Sequence, residues 1–270
     1  MRVRARALGV AAGLVAVVGL GLAVGGSGGG GPDLAGPPAA PSFAVDPRSD
    51  RQRPSRVRRE ARRPAARAEL LGPSVEGRPI RLLRLGDPDK RPRTLVIGCI
   101  HGTECEGTDV TRRLRSGRSS VPLWVVENLN PDGLQRGLRV NGHGVDLNRN
   151  FPSEWRQSGQ PFDPEYSGSK PLSEPESRLA ARLILRLRPE VTVWFHQPQA
   201  VVRAFGGSVG VARRYAHRAG VPFAVIRWPR ATAPNWQNQR LGMHSFVVEL
   251  PAGELPAAAA RRHARALLAL

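Results

Sequence analysis

Leu95-Val96-Ile97-Gly98-Cys99-Ile100-His101-Gly102-Thr103-Glu104 is the stretch on which the reading of this chain turns. The run from Thr94 to Ile100 is almost continuously apolar, as expected of a strand buried on both faces of a sheet. It gives way to a His and a Glu three positions apart, and then to helix-like sequence from Glu104 to Leu114. At a strand end such a pair can point into one crevice, and neutral imidazole and carboxylate are both good Zn²⁺ ligands. Taken alone, His-x-x-Glu is more often a polar turn capping a helix.

Working outward, strand-like and helix-like segments alternate. Pro79–Leu85 reads as an edge strand and Val121–Val126 as a central one, followed by a turn at Asn130-Pro131-Asp132-Gly133. Leu134 to Gly168 is rich in Gly, Asn and Pro yet carries Phe151, Trp155, Phe162 and Tyr166. A stretch this long suits a packed functional loop. Ser173 fits an N-cap, with Glu176 completing a capping box and Pro175 in the first turn of a helix to about Arg188. Val191–Phe195 is a short buried strand ending in His196, and Val209–Ala219 is a basic amphipathic helix. Strands over Pro222–Arg227 and Ser245–Leu250 and a helix over Pro256–Leu268 complete the pattern. The expected fold class is α/β, with a mixed, mostly parallel central sheet and helices on both faces.

The ends of the chain differ in composition. Arg2, Arg4 and Arg6 precede an apolar run from Ala7 to Val24, the pattern of an export signal for residues 1–24. The run is near the minimum length for spanning a bilayer, so an uncleaved N-terminal anchor is the alternative. Residues 25–67 are Gly-, Pro-, Ala- and Arg-rich and lack the apolar content to order themselves, which predicts a flexible linker. Residues 68–270 are then the ordered domain, on the extracellular or cell-wall side and expected to be a monomer. The formal charge of +19 favours association with anionic cell wall or membrane. No nucleic-acid motif or aromatic-interleaved basic patch accompanies that charge, so nucleic acid is excluded as a partner. Cys99 and Cys105 flank the His/Glu pair; they could form one short-loop disulfide or stay as two unbridged small residues.

In open α/β sheets ligands bind beyond the carboxyl ends of strands. The His101/Glu104 pair, His196 and Glu249 all occupy such ends. His101, Glu104 and His196 form a His₂Glu set for one Zn²⁺ per chain, with a fourth position left for water, the mark of a catalytic site. Glu249 sits in an otherwise apolar strand, where a charge is disfavoured unless it faces metal or substrate. It is the candidate general base and acid.

His101-x-x-Glu104, Asn130-Pro-Asp-Gly133, Gly144-Val-Asp-Leu-Asn-Arg-Asn-Phe-Pro152, Pro171-Leu-Ser-Glu-Pro-Glu176, His196 and Phe246-Val-Val-Glu-Leu-Pro251 occur in that order. The series resembles the zinc carboxypeptidase family (the carboxypeptidase A superfamily) over about Ala68 to Leu270. The short domain and the style of the Gly98–Glu104 segment are most similar to its bacterial murein peptide amidase subgroup. The resemblance implies that His101, Glu104 and His196 hold zinc and that Glu249 is the catalytic carboxylate. It also implies that Asn148 and Arg149 bind the substrate's terminal carboxylate and that Arg139 polarises the scissile carbonyl. The implied substrate is a peptide or muropeptide, cut at the γ-D-glutamyl–diaminopimelate bond of peptidoglycan.

The digestive members carry a mobile Tyr ahead of the catalytic Glu. Here Tyr166 and Tyr215 are the only tyrosines, and neither lies between Pro229 and Glu249. The polar residues in that stretch suit a charged substrate side chain. A general metallocarboxypeptidase of extracellular peptides, an N-acyl amino acid deacylase and a wall-binding module without catalysis are the other readings.

Overall fold

A computed structural model describes residues 67–87, 90–116 and 121–270. The expected export segment 1–24, and the expected linker up to residue 66, lie outside the described residues. Arg67, the last residue of that linker, instead opens the first strand. Among the described residues no helix is long and apolar enough to cross a membrane.

Eight strands form one sheet in the order β1-β2-β4-β3-β5-β8-β6-β7. They are β1 (Arg67–Pro73), β2 (Pro79–Leu85), β3 (Thr94–Ile97), β4 (Leu123–Val126), β5 (Val191–His196), β6 (Gln199–Ala204), β7 (Phe223–Val225) and β8 (His244–Pro251). β4, β3, β5 and β8 run parallel to one another, and β3, β4 and β5 are buried at every position. β1 and β2 on one flank and β6 on the other pair antiparallel, while β7 is parallel to β6. The fold is the mixed, largely parallel α/β sheet expected from the alternation. β2, read as an edge strand, lies one place in from the edge because β1 covers it.

Helices α1 (Gly107–Ser116), α4 (Val209–Ala219) and α6 (Ala257–Leu267) pack one face of the sheet through Val110, Leu114, Val211, Tyr215 and Leu267. The other face is covered by α3 (Pro175–Leu187) together with Leu147, Phe151, Trp228 and Trp236 from the connecting segments. This second face carries the functional residues.

Several local readings need correcting. The helix expected from Glu104 begins at Gly107, because Glu104 is held in a turn whose amide donates to the His101 carbonyl at 3.0 Å. Asn130-Pro-Asp-Gly is the start of a short helix, α2 (Pro131–Arg136). Asn130 caps it by accepting from the Gly133 amide at 2.9 Å. The capping box at Ser173 does not form. Glu174 is the N-cap of α3 and makes no side-chain cap bond, the Ser173 hydroxyl donates to Glu174, and Glu176 instead accepts from the Val75 amide at 3.0 Å. β6 was not foreseen, nor were α5 (Ala233–Asn235) and the π-turn Trp236–Arg240 that follows it.

On the helix-covered face, the Tyr215 hydroxyl of α4 lies 2.8 Å from His263 Nδ1 of α6. Burial, aided by the Arg262 charge, pushes the imidazole down to about 4 from its ordinary 6.5. The unfolded chain therefore takes up this proton first as the pH falls. The stability due to neutral His263 is complete above about pH 6.5 and lost towards pH 4, by up to about 3 kcal/mol. Urea unfolding at pH 7 and pH 4.5 should show a smaller acid loss in His263→Phe than in the parent chain. Equal losses in the two proteins would refute this assignment.

Candidate metal centre

His101 reaches the site because the β3–β4 ladder continues past both strands. The Gly98 amide donates to the Val126 carbonyl at 2.9 Å and the Leu129 amide to the Cys99 carbonyl at 2.8 Å. The His101–Glu104 turn then presses against α2: a Cβ on Gly102 would stand 2.0 Å from the Gly133 carbonyl carbon. Only glycine permits that approach. Cys99 and Cys105 are joined as a disulfide, Cα–Cα 4.7 Å, around the same turn. His196 ends β5, and its register partner on β8 is Glu249, so both side chains leave one face of the sheet.

The three expected metal ligands converge. His101 Nδ1 and His196 Nδ1 each lie 3.0 Å from Glu104 Oε2. All three residues are buried, with their candidate donor atoms within 4.8 Å of one another. Tetrahedral bonds of about 2.0–2.2 Å put ligand atoms roughly 3.3 Å apart, so the spacing suits a small divalent cation. His101 Nε2 faces Asp146 Oδ1 at 2.9 Å, the carboxylate–histidine arrangement that orients metal-binding imidazoles. Two buried nitrogens without a partner occur among the described residues, His196 Nε2 and Arg203 Nε; Glu249 Oε2 is likewise buried and unmatched.

Burial opposes charge on every member of this cluster, and the contacts decide the outcome. Hydrogen bonds from both imidazoles hold the Glu104 carboxyl far below the usual carboxylate range despite burial. Asp146 outweighs desolvation and raises His101, whereas burial takes His196 down to about 4. Burial, then the Glu104 charge, raise Glu249. The result is a buried pair of histidines around an ionised carboxylate, with a more basic carboxylate nearby. The donor set fits a divalent metal.

Arg139 is fixed at the rim. Its backbone carbonyl accepts from the Gly102 amide and from Asn130 Nδ2, each at 3.2 Å. Its guanidinium pairs with Glu104 Oε1, and with Asp146 Oδ2 at 3.1 Å. Asn148 and Arg149 lie on the 3₁₀ turn Leu147–Arg149, capped by Asp146. Asn148 spends its side-chain oxygen on the Ala233 amide at 2.9 Å. Arg149 holds the exposed Glu165 carboxylate at 2.6 Å. All seven sequence-derived residues therefore come from strand ends and loops on one face of the sheet.

Asp146 was missed, although it stands inside the quoted Gly144–Pro152 motif. The available signal was chemical: a metal-binding histidine ordinarily needs a carboxylate or carbonyl on its second nitrogen.

A zinc carboxypeptidase family model matches residues 58–240, and the chain belongs to the zinc carboxypeptidase family, a family of hydrolytic enzymes. The matched residues include His101, Glu104, Arg139, Asn148, Arg149 and His196 and stop short of Glu249. Over 131 residues the chain is 43% identical to murein peptide amidase A of Escherichia coli (strain K12), covering 42% of this chain and 52% of that protein. The Vibrio campbellii protein of the same name is 33% identical over 147 residues, covering 48% of this chain and 58% of that one. The chain thus spans about half the length of the curated relatives it matches. The crystal structure of a murein-tripeptide amidase from Escherichia coli O157 superposes with a TM-score of 0.62 at 26% identity, covering 76% of this chain and 96% of that one. Carboxypeptidase A from Helicoverpa armigera gives a TM-score of 0.63 at 20% identity, covering 76% and 69%, a likeness of fold alone.

Asp146→Asn should weaken zinc binding about 10–100-fold, measured by competition with a chromogenic chelator. Unchanged affinity in a folded variant would mean that Asp146 does not orient His101.

Proposed function

We propose that the chain is an exported zinc-dependent hydrolase of an amide bond next to a free carboxylate, acting on the γ-D-glutamyl–diaminopimelate bond of peptidoglycan peptides. The observation that carries this reading is the convergence of His101, Glu104 and His196 beside the unmatched Glu249 carboxylate. The likeness to murein peptide amidases favours wall peptides as the substrate. The basic, apolar sequence pattern of residues 1–24 supports export.

His101, Glu104 and His196 would hold zinc, which when bound would supply Lewis-acid polarisation of the carbonyl and lower the pKa of a water towards about 7. Glu249 takes the proton of the attacking water on a carboxylate oxygen and delivers it to the leaving amine nitrogen. Its raised proton affinity suits that double role. Arg139, locked by Glu104 and Asp146, presents positive charge to the carbonyl oxygen as negative charge develops there. Arg149 and the side-chain nitrogen Nδ2 of Asn148 seat the free carboxylate of the substrate. The carboxylate of Glu165 already pairs with this arginine, and a planar guanidinium binds such groups bidentately.

Glu249→Gln should lower kcat by about 10²–10⁴-fold while zinc content stays at one per chain. Near-full turnover in the zinc-loaded variant would remove Glu249 from the mechanism. Mass spectrometry of products from muropeptides and ordinary peptides tests the substrate. Loss of diaminopimelate from a tripeptide stem is expected. Release of C-terminal residues from ordinary peptides, with muropeptides untouched, would make the chain a general carboxypeptidase instead.

A further inference from the structure

Arg203, on β6, lacks an ion-paired partner among the described residues, although its charge acts on Glu249. Arg139 and Arg149 each hold a carboxylate, but no side-chain hydrogen bond or ion pair joins Arg203 to a described residue, and its Nε is wholly buried. A buried donor without a partner costs free energy, so its place in the sheet is informative. β6 pairs antiparallel with β8, Val201 opposite Glu249 and Arg203 opposite Val247. Register partners share a face, which puts Arg203 on the same face as Glu249 and His196. It is the diagonal neighbour of Glu249, with Cβ atoms roughly 7–8 Å apart, a span an arginine can reach.

The two charges act on each other without forming an ion pair, and Glu249 Oε2 is unmatched as well. Val247, Phe205, Ile226 and Trp236 belong to one apolar cluster on this face. The carboxylate seat is anchored to the same region, because Asn148 accepts from Ala233 of α5 and α5 packs on β8. A C-terminal residue seated by its carboxylate at Arg149, with its amide at Glu249, would extend its side chain over β8 and β6.

We propose that Arg203 is the specificity-determining residue of this subsite and reads a second carboxylate, carried on the side chain of the leaving C-terminal residue. The proposal rests on the peptide-hydrolysing reading of the site and narrows it to leaving groups that are dicarboxylic amino acids. Such a group would give Arg203 Nε the hydrogen-bond partner it lacks. A lysine there would meet like charge, and a leucine would leave the guanidinium unmatched.

The test uses the full zinc-loaded chain and peptides that differ only in a C-terminal Glu, Leu, Lys or diaminopimelate. The parent chain should prefer the two dicarboxylic leaving groups. Arg203→Met should lower kcat/KM for those two by about 100-fold and change the Leu peptide by less than about threefold. Arg203→Glu should shift preference towards Lys. An equal fall on all four peptides would place the action of Arg203 on Glu249 and overturn the proposal, as would a parent preference for Leu or Lys. If the parent cleaves none of them, the hydrolytic reading fails by itself. Calorimetric binding of free glutamate and free leucine to metal-free protein then decides the present point. Glutamate binding that weakens at least about tenfold in Arg203→Met upholds the carboxylate subsite, and equal binding refutes it.

Discussion

One buried carboxylate holds the centre together. Asp146 accepts from His101 Nε2 and the Asn148 amide through one oxygen, and from the Arg139 guanidinium through the other. It thereby ties the strand-end histidine, the 3₁₀ turn bearing Asn148 and Arg149, and the rim arginine into one unit. Its full burial would favour the neutral acid, yet the positive groups around it keep it ionised far below the usual range. A buried charge is tolerable only when so thoroughly paired. The pairing aims the His101 ring, and the ring's other nitrogen faces Glu104.

The rest of the geometry follows from strand direction. β3, β5 and β8 are parallel neighbours, so their carboxyl ends emerge at one edge of the sheet. Residues 95 positions apart in sequence, His101 and His196, arrive with ring centroids 4.8 Å apart. The helices on the opposite face bury the other side of the same strands, while α3 and the connecting segments cover the site face. That division lets rigid strands position the ligands while loops carry Arg139, Asn148 and Arg149.

Much of this was legible in the sequence because the central strands are largely apolar and end in polar residues of unusual type. His196 and Glu249 stand out against Val-Thr-Val-Trp-Phe and Phe-Val-Val in a way that no helical period could mimic. What escaped was decided by tertiary contacts. β6, Gln-Ala-Val-Val-Arg-Ala, is too short and too mixed to announce a strand; pairing with β8 makes it one. The Ser173 capping box looked sound locally, but Glu176 is drawn to Val75 and Asn141 across the fold. Arg203 carries no local signal, since in an arginine-rich chain one more cation is unremarkable until its neighbours are known, and Asp146 had only the chemical need of His101 to point to it.

The contact between Gly102 and Gly133 has a consequence for how such a centre can be altered. Two main chains touch with no side chain between them, so neither segment offers a hinge or a tunable surface at that point. The metal-side turn and the Asn-Pro-Asp-Gly helix start form a single interlocking part, like two halves of a mould. Transplanting the His101–Glu104 turn into another scaffold would deliver donor atoms without the wall that sets their angle. Both segments would have to move together, with Arg139, whose carbonyl bonds to each of them.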